Sequence, residues 1–260
     1  RRETWSGRGR YKEPAAPDTS DLPELPEGWV WATVDQVTAL FGNGLSKKPT
    51  SEVNEFPILR ISSTRVMEVS RDDLRYYLPS GAEDLSRFWV QQGDFLFTRY
   101  NGSGHLVGVC GRYRHDDPVL HPDKLIRARA VELDALDGDY FELAWNAGWT
   151  RKHIEGHTKT TSGQQGIAGS DVKAAPFPLP STLEQLEIAT RVSNAFQRAR
   201  ALEDYCEVEL ARSSALRQSI LKQAFSGRLV PQDPADEPAN ALLARIRATA
   251  PVKKTRKAKS

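Results

Sequence analysis

Between residues 29 and about 172 the chain runs in short apolar stretches cut by glycine, asparagine, aspartate and proline, a rhythm of strands and turns. The stretches at 56–61, 94–98, 106–109 and 126–133 each have the length and the β-branched or aromatic content of a strand. Gly93-Asp94 supplies a turn leading into Phe95-Leu96-Phe97, and the run His105-Leu106-Val107-Gly108-Val109-Cys110 reads as another strand. Asp139 precedes Phe141, Ala144, Trp145 and Gly148, a spacing that suits a helix. The pattern predicts a strand-rich domain of mixed α and β structure.

At Pro176-Phe177-Pro178-Leu179-Pro180-Ser181 the prolines stop any earlier element, and Ser181 with Glu184 has the spacing of a capping box. No glycine or proline then interrupts the chain as far as Phe225. Ile188, Val192, Ala195, Ala199, Leu202, Cys206, Glu209, Ser213, Leu216 and Ile220 recur in steps of four and three, a heptad seam. Gly227 stands where a C-terminal cap is expected and Pro231 prevents continuation, so the helix should end near Ser226. At 1.5 Å per residue such a rod is roughly 65 Å long, more than its own domain needs. It either folds back on that domain or, as its seam suggests, pairs with another helix through the interface Ile188, Val192, Ala195, Ala199, Leu202, Cys206, Leu216 and Ile220. Small and polar residues at mid-seam favour close approach and register over strength. A second, shorter helix is expected from Pro238 through Arg247.

The expected fold class is α+β: a strand-rich mixed domain, a long coiled-coil helix and a short C-terminal helix. The divisions are a linker over 1–28, extended by Pro14, Pro17, Pro23 and Pro26, then the globular domain over 29–176 and the long helix over 177–227. A short helical segment over 228–250 and a basic disordered tail over 251–260 complete it. The formal charge of +2 and a pI near 8.5 are too mild to announce a nucleic-acid protein. Lys253, Lys254, Arg256, Lys257 and Lys259 concentrate in the tail without an acid among them. Cys110 and Cys206 form neither a disulfide framework nor a metal half-site, which fits a reducing cytoplasm. No apolar run approaches the roughly 20 residues of a membrane helix, and the stretch from Arg1 to Arg10 lacks the apolar h-region of a signal peptide. It starts at Arg1 with its one methionine at Met67, as expected of part of a longer polypeptide.

Four stretches resemble the specificity subunits of type I restriction-modification systems. They are Leu25-Pro26-Glu27-Gly28-Trp29; Gly93-Asp94-Phe95-Leu96-Phe97-Thr98-Arg99 with Asn101-Gly102-Ser103; Pro178-Leu179-Pro180 with Glu184-Gln185 and Ile188; and Leu216-Arg217-Gln218-Ser219-Ile220-Leu221-Lys222-Gln223-Ala224-Phe225-Ser226-Gly227-Arg228-Leu229-Val230-Pro231-Gln232. The last is the most specific, and the likeness covers residues 12–248. It amounts to half of a typical member, which has two target-recognition domains and two helical regions. The resemblance implies a non-catalytic chain that reads one part of a split double-stranded DNA target, with no cofactor of its own. Its implied partners are adenine methyltransferase subunits and a restriction and translocation subunit. A second copy, or the missing half on another chain, would join through the coil.

Reading bases needs side chains that bond base edges, positioned by cationic and backbone contacts to phosphate. Three polar stretches offer both. Gly42-Asn43-Gly44-Leu45-Ser46-Lys47-Lys48 is a turn carrying Lys47 and Lys48, and Ser62, Ser63 and Thr64 lie between Arg60 and Arg65. The loop from His157 to Gly166 carries Lys159, Thr161, Gln164 and Gln165, and Arg99 with Asn101 adds the loop after the central strand. Gln164 and Gln165 suit adenine, Arg65 or Arg99 guanine. The same composition also describes ordinary solvated loops.

Two chemistries compete. Tyr100-Asn101-Gly102-Ser103-Gly104 imitates the glycine loop of an S-adenosylmethionine-dependent methyltransferase, but it should link a strand to a helix, and no Asn-Pro-Pro or Asp-Pro-Pro segment follows. His153 and His157, with Glu155 between them, have the spacing of two ligands on one helix face, yet Gly156 marks a helix already ending and no third ligand is evident. An exposed pair of histidines is the expectation. Asp72-Asp73, Glu83-Asp84 and Asp116-Asp117 fit turns. A coiled-coil adaptor that binds only protein remains the third class, separable by whether its assembly binds duplex DNA in a salt-dependent way.

Overall fold

The computed structural model describes residues 12–131, 135–161 and 164–249. The first eleven residues of the expected linker, residues 132–133 of the last expected strand, Ser162, Gly163 and the basic tail lie outside the described residues. After an irregular stretch the chain forms β1 (Val30–Thr33), a one-turn helix α1 (Val34–Val37) and β2 (Thr38–Asn43). There follow β3 (Pro57–Ile58), the hairpin of β4 (Thr64–Arg65) and β5 (Glu68–Val69), β6 (Arg75–Tyr76) and β7 (Trp89–Val90). Next come β8 (Phe95–Thr98), β9 (Tyr100–Asn101), β10 (Cys110–Arg112), β11 (Val119–Leu120) and β12 (Leu125–Ala130). Then come α2 (Gly138–Asn146), α3 (Gly148–His157), the hairpin of β13 (Lys159–Thr161) and β14 (Gln164–Gly166), α4 (Gly169–Ala174) and β15 (Pro176–Leu179). Two last helices follow, α5 (Thr182–Phe225) and α6 (Ala239–Thr249). The chain divides into two compact units, one ending at Ala195 and the other beginning at Phe196.

The first unit is built on a four-stranded antiparallel sheet in the order β10-β8-β12-β2. Successive side chains on a strand point to opposite faces, so Phe95 and Phe97 join one core and Leu96 another. That two-sided burial is why β8 reads as an unbroken apolar run. On the first face α2 lays Phe141 4.5 Å from the ring of Phe95, and Trp145 4.6 Å from that of Phe97. Trp145 Nε1 donates to the Gly108 carbonyl at 2.7 Å. The second face packs on Leu59, Val69, Val90, Tyr113 and Val119. Asp94, wholly buried, accepts from Arg129 Nε at 2.5 Å and Nη2 at 2.7 Å, which ties the turn before β8 to β12. β1 pairs with β15 in antiparallel register, Val30 against Leu179, and so closes the unit.

The structure moves three expectations. Residues 106–109 are not a strand: residues Gly104–Leu106 form a 3-10 turn and the strand begins at Cys110. Gly108 takes φ +69° there, and its N–H bonds the Thr98 carbonyl at 2.7 Å. Val107 and Val109 are buried, so a tight turn packed into the core imitates a strand in sequence. The cap of α2 is Asp137, whose side chain accepts from Tyr140 N, while Asp139 pairs with Arg112 and Arg114. Only Pro57–Ile58 of the 56–61 stretch is strand, because Arg60 N bonds Ser63 Oγ at 3.1 Å and opens a 3-10 turn.

α5 starts as its sequence requires, with Ser181 and Glu184 exchanging backbone and side-chain hydrogen bonds. Gln185, buried within the first unit, receives Asp137 N and donates to Pro180 O. In the second unit Gly227 adopts φ +69°, and Arg228 N reaches Gln223 O at 2.9 Å, a left-handed helix stop. The seam residues Leu202, Leu216 and Ile220 are exposed, as are Leu242, Leu243 and Ile246 of α6. Among the described residues no helix is long and apolar enough to cross a membrane.

Candidate nucleic-acid interface

The registers of the central sheet gather several loops at one of its ends. Asn43 pairs with Ile126, Leu125 with Thr98, and Cys110 with Phe97. The end of β2, the start of β12, the end of β8 and the start of β10 therefore lie side by side. Leu45 N donates to the His121 carbonyl at 2.9 Å and Asp123 N to that of Leu45 at 2.8 Å, which fixes the 44–48 loop against the approach to β12. Arg99 N donates to Lys124 O at 2.8 Å and its Nη1 to Asp123 O at 3.5 Å. Beyond Arg99, β9 is the edge of a three-stranded sheet in the order β13-β14-β9, with Asn101 opposite Gln165 and Tyr100 opposite Gly166.

This pairing joins two stretches that the sequence presents separately. The segment 157–166, expected as a loop, is instead the end of α3 and a β-hairpin. Its strands carry no apolar face, so period-2 reading had nothing to register. Arg99, Asn101, Lys159, Thr161, Gln164 and Gln165 all belong to this small sheet or its lead-in. The Arg99 guanidinium lies 4.8 Å over the Tyr100 ring, and its Nε is buried without a partner. Asn101 Oδ1 accepts from Ser103 N at 3.0 Å and shapes the following turn. Gln164 and Lys159 are exposed and Gln165 is half-buried. A side chain at Gly104 would collide with Gln165 Oε1, so the glycine gives that amide its place.

The other candidates stand differently. Lys48 is exposed, between Lys47 and Thr50, which bond the 76–80 segment rather than the β9–β14 sheet. Lys47 is already occupied: its Nζ donates to Leu78 O at 2.6 Å and Ser80 Oγ at 2.8 Å. Arg60 pairs with Asp73, and Arg65 donates to the Thr64 carbonyl on a hairpin whose Met67 N reaches Cys110 O. No hydrogen bond or strand pair among the described residues joins Arg60 or Arg65 to β9 or β14. Lys124 was missed. It is exposed and its carbonyl receives Arg99 N, but a lone lysine before an apolar strand carries no signal without that contact.

A buried polar layer supports the loops. His121 is 1% exposed, and its Nδ1–H donates to the Phe88 carbonyl at 2.7 Å. Burial first, then the Arg127 charge, holds its pKa down at about 4, so the ring is neutral at pH 7. Gly44 is required here, since a Cβ would lie 2.0 Å from the His121 carbonyl oxygen.

The methyltransferase reading loses ground. The Tyr100–Gly104 loop passes into a 3-10 turn and then β10, not the helix a cofactor loop would need. The rings of His153 and His157 stack at 4.0 Å, and α3 runs through Gly156 to His157. His153 is half-buried rather than exposed, with its pKa lowered by burial first and then by His157. Among the described residues no group of three metal-ligating side chains converges.

No protein-family model matches the chain. The type I restriction enzyme EcoKI specificity subunit of Escherichia coli strain K12 is 44% identical over 217 residues, covering 79% of this chain and 46% of that protein. The chain belongs to the type I restriction-enzyme specificity-subunit family. The StySPI specificity subunit of Salmonella potsdam is 29% identical over 231 residues, covering 85% of this chain and 49% of the relative. This specificity-subunit chain thus spans about half the length of the curated relatives it matches. It shares its fold with the HsdS subunit of Thermoanaerobacter tengcongensis, at a TM-score of 0.54 and 20% identity, over 80% of this chain and 48% of that one.

Proposed function

We propose that this chain is the DNA sequence-recognition and scaffold element of a type I restriction-modification complex and reads one half of a bipartite target. One observation carries the reading: Arg99, Asn101, Gln164, Gln165 and Lys159 meet in one small sheet, whose lead-in at Arg99 bonds the carbonyl of Lys124 at one end of the central sheet. Amides that present paired donor and acceptor groups match adenine edges, a guanidinium matches guanine, and flanking ammonium groups serve phosphates. The chain performs no reaction itself. Adenine methylation belongs to methyltransferase subunits docked on it, and cleavage to a restriction and translocation subunit. The exposed seam of α5, with Leu202, Leu216 and Ile220, supports pairing with a second copy or with the missing half of the subunit. The work takes place in the cytoplasm, where the DNA lies.

The test is equilibrium binding of the chain, assembled with its methyltransferase partner, to duplex DNA at a series of salt concentrations. Affinity falling linearly in log–log form, with a preferred sequence bound about a thousandfold or more above random duplex, supports the reading. An assembly that ignores DNA at low salt rejects it in favour of a protein-binding adaptor.

A further inference from the structure

Beneath the 42–47 loop an open cleft of about 800 Å³ runs between β2 and the segment 77–88, and Arg127 of β12 lines it. Its charged side chains are Lys47, Glu83, Asp84, Arg87 and Arg127. Most of these are spoken for. Glu83 accepts from Tyr77 Oη at 2.9 Å and from Ser80 N at 3.3 Å, and Asp84 accepts from Ser86 N at 2.9 Å. Lys47 holds Leu78 and Ser80.

The two arginines form no ion pair among the described residues, although the Asp94 charge acts on Arg127 and the Arg87 charge on Asp84 from a distance. Arg127 is 6% exposed, yet among the described residues no carboxylate pairs with it. Its side chain makes one hydrogen bond, from Nη1 to the Trp89 carbonyl, and its Nε is buried without a partner. A guanidinium offers five donors, and a buried cation that leaves them unbonded is costly to the fold, even with the Asp94 charge acting on it from a distance. Arg129, two residues along the same strand face, has the bidentate Asp94 that Arg127 lacks. Arg87 is exposed and stacked 4.6 Å over the Phe88 ring; its charge acts on Asp84, but among the described residues it forms no ion pair. Gly42 pairs with Arg127 in register, and paired residues point to one face. A Cβ at Gly42 would meet nothing within 4 Å, so the space beside Arg127 is open.

We propose that this cleft is an oxyanion site in which Arg87 and Arg127 hold one phosphate of the DNA backbone beside the base-reading end of the sheet. The oxyanion chemistry follows from two arginines that line one cleft without an ion pair, one of them with a buried Nε left unbonded, whereas DNA as the source of the phosphate rests on the recognition reading above. The site would fix the position of the duplex while the β9–β14 sheet reads bases.

The full chain, labelled with ¹⁵N, is titrated with inorganic phosphate at constant ionic strength. The expected result is a saturable change confined to the Gly42 and Gly44 amides and the Arg127 Nε–H, weakened several-fold in Arg87→Ala, whose exposed position leaves folding intact. In the assembled complex, Arg87→Ala should also reduce the slope of log affinity against log salt, by at most the roughly 0.9 of one phosphate contact. Arg71→Ala, which removes a cation already paired with Asp117, should leave it unchanged. A phosphate response with an unaltered slope overturns the DNA assignment, and no phosphate response overturns the site. If the wild-type assembly binds no DNA, the recognition reading has failed and the titration alone decides the oxyanion site.

Discussion

Acid should destabilise the first unit through one imidazole. His121 has an ordinary pKa of 6.5, held at about 4 in the folded chain, chiefly by burial. The unfolded chain therefore takes up the proton first. The stability contributed by neutral His121 is present in full above pH 6.5 and is lost as pH falls toward 4. The gap, at about 1.4 kcal/mol per pH unit, is worth about 3 kcal/mol. The ring is 1% exposed, so solvent screens little of this. Urea unfolding followed by tryptophan fluorescence between pH 7.5 and 4, for the wild type and His121→Asn, isolates the effect, because carboxylates common to both cancel in the difference. The wild-type advantage should shrink by about 3 kcal/mol across that range, and the ring itself should titrate near 4 by NMR. A difference that stays constant with pH, or a ring titrating near 6.5, refutes the reasoning. The backbone carbonyl of the same residue holds Leu45, so the titration reports on the support of the 44–48 loop.

Three further outcomes follow from the same geometry. Trp145→Ala removes a fully buried ring and the bond to Gly108, and should cost about 3–5 kcal/mol in chemical denaturation. Gly44→Ala forces a Cβ against the His121 carbonyl; anisotropy should show sequence-specific binding weakened by about 1–3 kcal/mol with non-specific binding retained. Leu202→Asp together with Leu216→Asp should abolish association of the coil in light scattering while near-UV circular dichroism of the first unit stays unchanged.

Local rules were legible in the sequence and long-range ones were not. The reciprocal Ser181–Glu184 cap, the uninterrupted helix and the left-handed Gly227 each depend on a few neighbouring residues. The 106–109 turn defeated the same reading because its apolar side chains serve the core while Gly108 bends the backbone away from strand geometry. Arg99, Asn101, Gln164 and Gln165 were identifiable by chemistry alone, but their meeting depends on β9 pairing with a polar hairpin about 60 residues later, a pairing without any hydrophobic pattern. Lys47 shows the reverse. It is cationic and on a candidate loop, yet two acceptors far along the chain already hold it. That Asp94 binds Arg129 and not Arg127 was invisible for the same reason, since only the fold reveals which arginine a carboxylate meets.

The central claim, that this chain reads half of a split target, is tested most directly by mapping the adenines modified when the chain is assembled with its methyltransferase partner. The account predicts a two-part sequence separated by a fixed number of unread base pairs, with Gln165→Ala relaxing the requirement in the part this chain reads. Modification at a single uninterrupted sequence, or at sites unchanged when the chain is left out, would contradict it.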